Sequence, residues 1–182
     1  MTKEEIKALV ERYPYLLPRN VFTDKVPANY DYTYITYTEI PAGWDKLFMQ
    51  MCKDIRQPLI DAKYLEKFRF TQIKEKYNEM RCYCNGAPEE VYEILTKYEQ
   101  MARYICTNCG KPAVYETQGH IASFCEDCYN GLKHQPKAEK IEFKPYYKIR
   151  RFQKGESAEM TISFEEEWNR YLKENGYGYK TF

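Results

Sequence analysis

Residues 106–128 read CTNCGKPAVYETQGHIASFCEDC, and the two cysteine pairs in this stretch decide the fold. Cys106-x2-Cys109 and Cys125-x2-Cys128 are separated by 15 residues. That spacing matches the C-x2-C-x15–20-C-x2-C pattern of tetrahedral zinc sites. Two residues between cysteines let one tight turn present two thiolates to one ion. Gly110, directly after the first pair, permits the left-handed backbone of a metal knuckle. Residues 111–124 can then form a short hairpin that returns the second pair, and Cys125-Glu-Asp-Cys128 can begin a helical turn. The expectation is a zinc-ribbon or treble-clef-like unit with Cys106, Cys109, Cys125 and Cys128 as ligands. Four thiolates leave no open coordination position, so the expected cofactor is structural Zn2+.

The rest of the cysteine usage agrees. The chain has 7 cysteines, an odd number. Its first residues, MTKEEIKALVERY, lack the apolar segment of a signal peptide. A disulfide framework is therefore not expected. Cys52 sits on an apolar helix face and reads as core. Cys82 and Cys84, as C-x-C on a strand, share a face without a third or fourth ligand nearby. His120 and His134, the chain's 2 histidines, read as surface residues or spare ligands.

Upstream, Thr2-x-x-Glu5 is a capping box leading a helix over 3–12, which Pro14 ends. The following loop lies on the core through Leu16, Leu17, Val21 and Phe22. Tyr30 to Thr38 alternates with a strand period. Trp44 to about Lys63 is an amphipathic helix with a kink or a break expected near Arg56 because of Pro58. Phe68 to Cys84 reads as a hairpin turning near Tyr77-Asn78-Glu79, although residues 73–83 also contain helix formers. A helix opens at Pro88, with Val91, Tyr92, Leu95, Tyr98 and Met101 on one face.

Downstream, Ile141 to Phe152 reads as strand interrupted by Pro145, and a polar link starts at Gly155. Ser163-x-x-Glu166 caps a last helix ending at Asn175-Gly176. These elements predict an α+β fold: an antiparallel sheet, packed helices and the four-cysteine unit. The predicted divisions are 1–104, an α+β domain; 105–135, the zinc-binding unit; and 136–182, a basic strand region with a helix packing back on the first domain.

The 182 residues carry 28 Lys and Arg against 27 Asp and Glu, a net charge of +1, which excludes a wholly basic nucleic-acid coat. No apolar run approaches the ~18–20 residues of a membrane span. Local charge differs. Residues 133–154 hold eight cations against Glu139 and Glu142, interleaved with aromatic residues. Lys144, Lys148, Arg150, Arg151, Tyr146 and Tyr147 are candidate contacts to a partner or to nucleic acid. The 19 tyrosines suit binding surfaces, and 30–38 is a second candidate interface. H-E-x-x-H, G-x-S-x-G, P-loop and G-x-G-x-x-G motifs are absent from the sequence. No catalytic residue is assigned, and an enzyme is not expected.

Several of these residues also form a series: Gly43-Trp44, Met51-Cys52, Ile55, T-Q-I-K-E-K-Y at 71–77, M-R-C-Y at 80–83, Val91-Tyr92, Tyr98-Glu99 and C-x2-C-G-x-P-A from Cys106. Over roughly residues 41–128 the series resembles a family of small phage- and prophage-encoded proteins. In that family two glycines follow the T-Q-I/V-K-E-K-Y/F segment, where this chain has Asn78-Glu79. The resemblance implies a mobile-element origin and action in the cytoplasm of an infected bacterial cell. It implies no reaction. The function expected by analogy is inhibition of a host protein or ribonucleoprotein complex, of anti-CRISPR or similar anti-defence type. A nucleic-acid-binding phage accessory factor using the 133–154 segment is the alternative, and a metal-dependent nuclease the second.

Overall fold

The computed structural model describes residues 2–20, 22–36, 38–153 and 156–178, with the side chains of Thr38 and of 150–158 outside the description. Helix α1 (Lys3–Arg12) starts at the expected capping box: Thr2 Oγ1 accepts the Glu5 N–H at 3.2 Å, and Glu5 Oε2 accepts the Thr2 N–H at 2.7 Å. Ile6 and Val10 bury its apolar stripe. A 3-10 turn, Pro14–Leu16, seats Tyr15 and Leu16 in the core. Phe22 corrects the reading of this loop, because its side chain is 94% exposed, and Val21 lies outside the described residues.

The expected tyrosine strand does not form. Tyr32 is left-handed, with φ 61°, and Tyr30 donates its hydroxyl to the Tyr34 carbonyl at 2.8 Å. The rings pack on one another, Tyr30 lying 4.9 Å from Tyr32 and 5.3 Å from Tyr34. These local contacts, with the Lys3–Asp31 ion pair at 2.5 Å, satisfy the segment without a ladder. Among the described residues of this stretch only Thr38 is strand, opening β1 (Thr38–Glu39); Tyr37 lies outside the described residues.

A 3-10 turn, Ala42–Trp44, leads directly into α2 (Asp45–Asp61). α2 runs unbroken past Arg56 to Asp61, so no break occurs there; Pro58 forfeits its own bond to the Asp54 carbonyl, and burial of Ile55 and Leu59 on either side of it holds the last turn to the core. β2 (Phe70–Lys76) and β3 (Glu79–Cys84) form the hairpin, with β1 parallel to β2 on the outer edge. Tyr77 and Asn78, at φ 54° and 62°, make a two-residue turn of the kind that matches strand twist. The glycine pair is therefore dispensable here: asparagine tolerates the left-handed region, and tyrosine is held there.

Helix α3 (Glu89–Ala102) packs on α2 and β3 through Val91, Leu95, Tyr98 and Met101, while Tyr92 turns out to solvent. β4 (Tyr115–Thr117), β5 (Ser123–Phe124), the short α4 (Glu126–Asn130) and β6 (Ala138–Lys140) build the cysteine-rich region, with β4 between β5 and β6. β7 (Tyr146–Gln153) and β8 (Glu156–Ser163) then pair antiparallel. The polar link expected from Gly155 is thus largely a strand, and Gly155 itself lies outside the described residues. In α5 (Glu165–Glu174), Trp168, Tyr171 and Leu172 are buried; the capping box expected at Ser163 and Glu166 does not form, because Phe164 takes the N-cap position and Ser163 Oγ instead accepts the Glu165 N–H at 3.2 Å.

One apolar cluster joins α1, α2, β2, β3, α3 and α5. A polar junction lies at its edge. Tyr98 donates to Asp54 at 2.5 Å, and Arg170 reaches both groups, which ties α2, α3 and α5. The fold is α+β with small antiparallel sheets, five helices and a four-cysteine cluster, as the sequence predicts. No helix among the described residues is long and apolar enough to cross a membrane.

Candidate metal centre

The chain after α3 forms a knuckle. Cys106 N–H donates to the Lys111 carbonyl at 2.8 Å, and Gly110 N–H to the Cys106 carbonyl at 3.0 Å. Gly110 takes φ 78°, which the turn requires. β4 and β5 return the chain antiparallel, so that Cys125 stands at the start of α4 and Cys128 in its first turn. Knuckle, hairpin and helix start make the treble-clef-like arrangement read from the spacing.

The four Sγ atoms all lie within 4.8 Å of one another, and Cys109 and Cys125 are 3.6 Å apart. Sulfurs bound to one tetrahedral zinc at about 2.3 Å stand about 3.8 Å from each other. The cluster therefore has the size and the soft donor set of a closed metal site. Cys106 and Cys125 are buried, Cys128 is half-buried and Cys109 is exposed. Burial, with neighbouring thiols, pushes Cys128 up, and Cys125 is likewise raised, first by burial. Burial also acts on Cys109, but the Lys111 N–H and the other thiols outweigh it and lower its value. Such crowding of thiols favours an ion that displaces their protons. Neither histidine belongs to the group.

Four residues outside the motif hold the cysteine-rich unit: Gly43, Tyr171 and Trp44 at or next to the knuckle, and Asn78 at the β4–β5 hairpin. Gly43 donates its N–H to the Thr107 carbonyl at 2.9 Å, and a Cβ on Gly43 would stand 2.1 Å from the Cys106 carbonyl oxygen. Tyr171, from α5, donates its hydroxyl to the Gly110 carbonyl at 2.7 Å. Asn78, from the hairpin tip, is fully buried and donates to Ser123 Oγ at 2.7 Å and to Glu116 at 2.9 Å. Trp44 adds a bond from its indole N–H to the Ile105 carbonyl at 3.2 Å. None of these roles was legible from spacing. Gly43 before a helix was the nearest signal, since a glycine at an element junction often marks close backbone approach.

The other cysteines are apart from the centre. Cys52 is buried in α2, as expected, and Cys82 Sγ contacts Met51 Sδ at 3.7 Å.

Two cations of the basic segment are paired with carboxylates. Lys144 pairs with Glu142 at 2.8 Å and Lys148 with Glu159 across the ribbon at 2.7 Å. Tyr146 is exposed, whereas Tyr147 packs against the core. In register Arg150 faces Glu159 and Arg151 faces Ala158, so strand alternation puts positions 148 and 150 on one side and 151 on the other. The side chains of Arg150 and Arg151, and all of Lys154, lie outside the described residues.

No family model, curated protein or solved structure matches this chain.

Proposed function

We propose that this protein is a non-catalytic binding protein in which a closed four-cysteine centre takes structural Zn2+ and the β7–β8 ribbon engages a macromolecular partner. The ribbon carries this reading. Its strands pair with each other alone among the described residues, and among the described side chains Tyr147, at its base, and the adjoining Phe164 reach the core cluster. Each strand has eight residues, so the ribbon spans about 26 Å at roughly 3.3 Å per residue. A lone two-stranded ribbon is marginal in water and gains from a partner surface. Alternation places Tyr147, Ile149, Met160 and Ile162 along one side, and Met160 is exposed.

Zinc is the ion favoured by four thiolates in tetrahedral reach, and a closed donor set gives it a structural rather than a chemical role. The partner favoured by the sequence resemblance is a host protein or nucleoprotein complex of bacterial defence, which the bound protein would obstruct. Cross-strand acids such as Glu159 temper the ribbon's positive charge, which favours a protein contact over bare nucleic acid there.

The test is capture from a nuclease-treated bacterial lysate with tagged wild type and with the triple variant Lys148→Glu, Arg150→Glu, Arg151→Glu. A stoichiometric protein retained by wild type and lost by the variant supports the reading. Equal retention by both overturns the ribbon as the contact.

A further inference from the structure

We propose that the outer face of the β2–β3 hairpin binds single-stranded nucleic acid, with Tyr77 and Tyr83 as stacking platforms and Lys74, Lys76 and Arg81 as phosphate contacts. This surface is separate from the ribbon and goes beyond the function proposed above.

The register divides the hairpin into two faces. Ile73 opposite Cys82 and Glu75 opposite Met80 form the inner one, where Ile73 and Met80 are fully buried. Gln72 opposite Tyr83, Lys74 opposite Arg81 and Lys76 opposite Glu79 form the outer one. Tyr83 is 44% exposed and Tyr77, at the tip, 70%. Each ring has a lysine over it: Lys74 Nζ lies 5.2 Å from the Tyr83 centroid and Lys76 Nζ 5.4 Å from that of Tyr77. Aromatic faces interleaved with mobile cations are what an unpaired strand requires, because its bases stack and its phosphates need positive charge. The carboxylates here are Glu39, in register with Lys74, and Glu79, which Arg81 and Arg103 both engage.

Tyr77 supplies the independent observation. It occupies a left-handed position, φ 54°, where glycine is strain-free, yet it displays a large ring to solvent. Strain kept at an exposed residue points to use of that residue. The tip is also rigid, because Asn78 is anchored to Ser123 and Glu116, so Tyr77 is displayed from a fixed base. Preorganisation of this kind reduces the entropy lost on binding. A duplex hides its base faces in its own stack and cannot use these rings, which commits the surface to single strands.

Fluorescein-labelled oligo-dT and oligo-U are titrated with the full-length, metal-loaded protein, and anisotropy is followed at low and at physiological salt. Saturable binding that weakens with salt is expected. Tyr83→Ala and Tyr77→Gly should each weaken it by about 5- to 150-fold. Tyr77→Gly should at the same time raise the melting temperature, since it removes the left-handed Cβ, so lost binding cannot be ascribed to misfolding. Lys74→Gln or Lys76→Gln should reduce the slope of log K against log salt by about 0.7 each. No binding at low salt overturns the proposal. So does equal affinity for duplex, or binding that survives Tyr77→Gly and Tyr83→Ala but fails in the ribbon triple variant. Capture of an acidic protein through this face without oligonucleotide binding overturns it too.

Discussion

Single atoms decide much of how this protein closes. The missing Cβ of Gly43 lets the turn before α2 lie directly on the Cys106–Thr107 backbone. Gly43→Ala puts a carbon 2.1 Å from the Cys106 carbonyl oxygen and 2.7 Å from the Thr107 carbonyl, and two packed backbones must shift to admit it. Overpacking of this kind costs about 1–3 kcal/mol, and here the upper end is expected. The check is the urea midpoint of Gly43→Ala against wild type, together with metal content. Glu99 gives a pH signature. Burial pushes its carboxyl up from 4.5 to about 7, against the opposing pull of the Cys82 N–H at 2.7 Å and of Arg81, while Glu79 adds to the rise. The folded state therefore holds this proton more tightly than the unfolded chain. Its contribution is complete below the unfolded value and is lost as pH rises through about 7. Urea midpoints across that window should fall for wild type and stay flatter for Glu99→Gln. Parallel curves would remove Glu99 as the cause.

Elements show where local pattern wins and where it fails. The hairpin follows its alternation, and the two-residue turn forms although neither residue is glycine. The 30–38 stretch has a strand pattern of comparable regularity, but no neighbouring strand lies beside its tyrosines, and ring contacts with a left-handed Tyr32 replace the ladder. Alternation reports a preference for extended backbone, and a ladder needs a partner as well. The ribbon is the opposite case: it has a ladder but little core beneath it. Its amides should exchange with solvent faster than those of β2 and β3, whose inner face is buried. Hydrogen exchange read by mass spectrometry on peptides covering 146–153 and 70–84 measures the contrast. Equal protection would mean that the ribbon is covered in solution.

At the scale of the whole molecule, the metal centre is a keystone more than an appendage. The cysteine-rich unit receives Gly43 and Trp44 from the turn before α2 and Tyr171 from α5 at its knuckle, and Asn78 from the hairpin tip at β4 and β5. Loss of the ion should therefore loosen the shared core and not just the 106–128 segment. A thiol-compatible chelator should release one metal ion per chain, lower the melting temperature and reduce the near-ultraviolet circular dichroism of Trp44 and Trp168. A chelated protein with unchanged tertiary signals would make the centre a local staple.

Cysteine spacing, the Thr2–Glu5 capping box, helical stripes and the 70–84 alternation are local, and local patterns are written in consecutive residues. From them the sequence by itself determined the α+β class, α1, the hairpin, α3 and the clustering of the four cysteines. Only the tertiary structure decided what lies far apart in the chain: Gly43 against Cys106, Asn78 against Ser123, Tyr171 against Gly110, and β8 opposite β7. It also paired Lys144 with Glu142 and Lys148 with Glu159, contacts the sequence does not show. The physical reason is range. Propensity and periodicity act over a few residues, whereas close backbone approach and charge pairing depend on which surfaces the folded chain brings together.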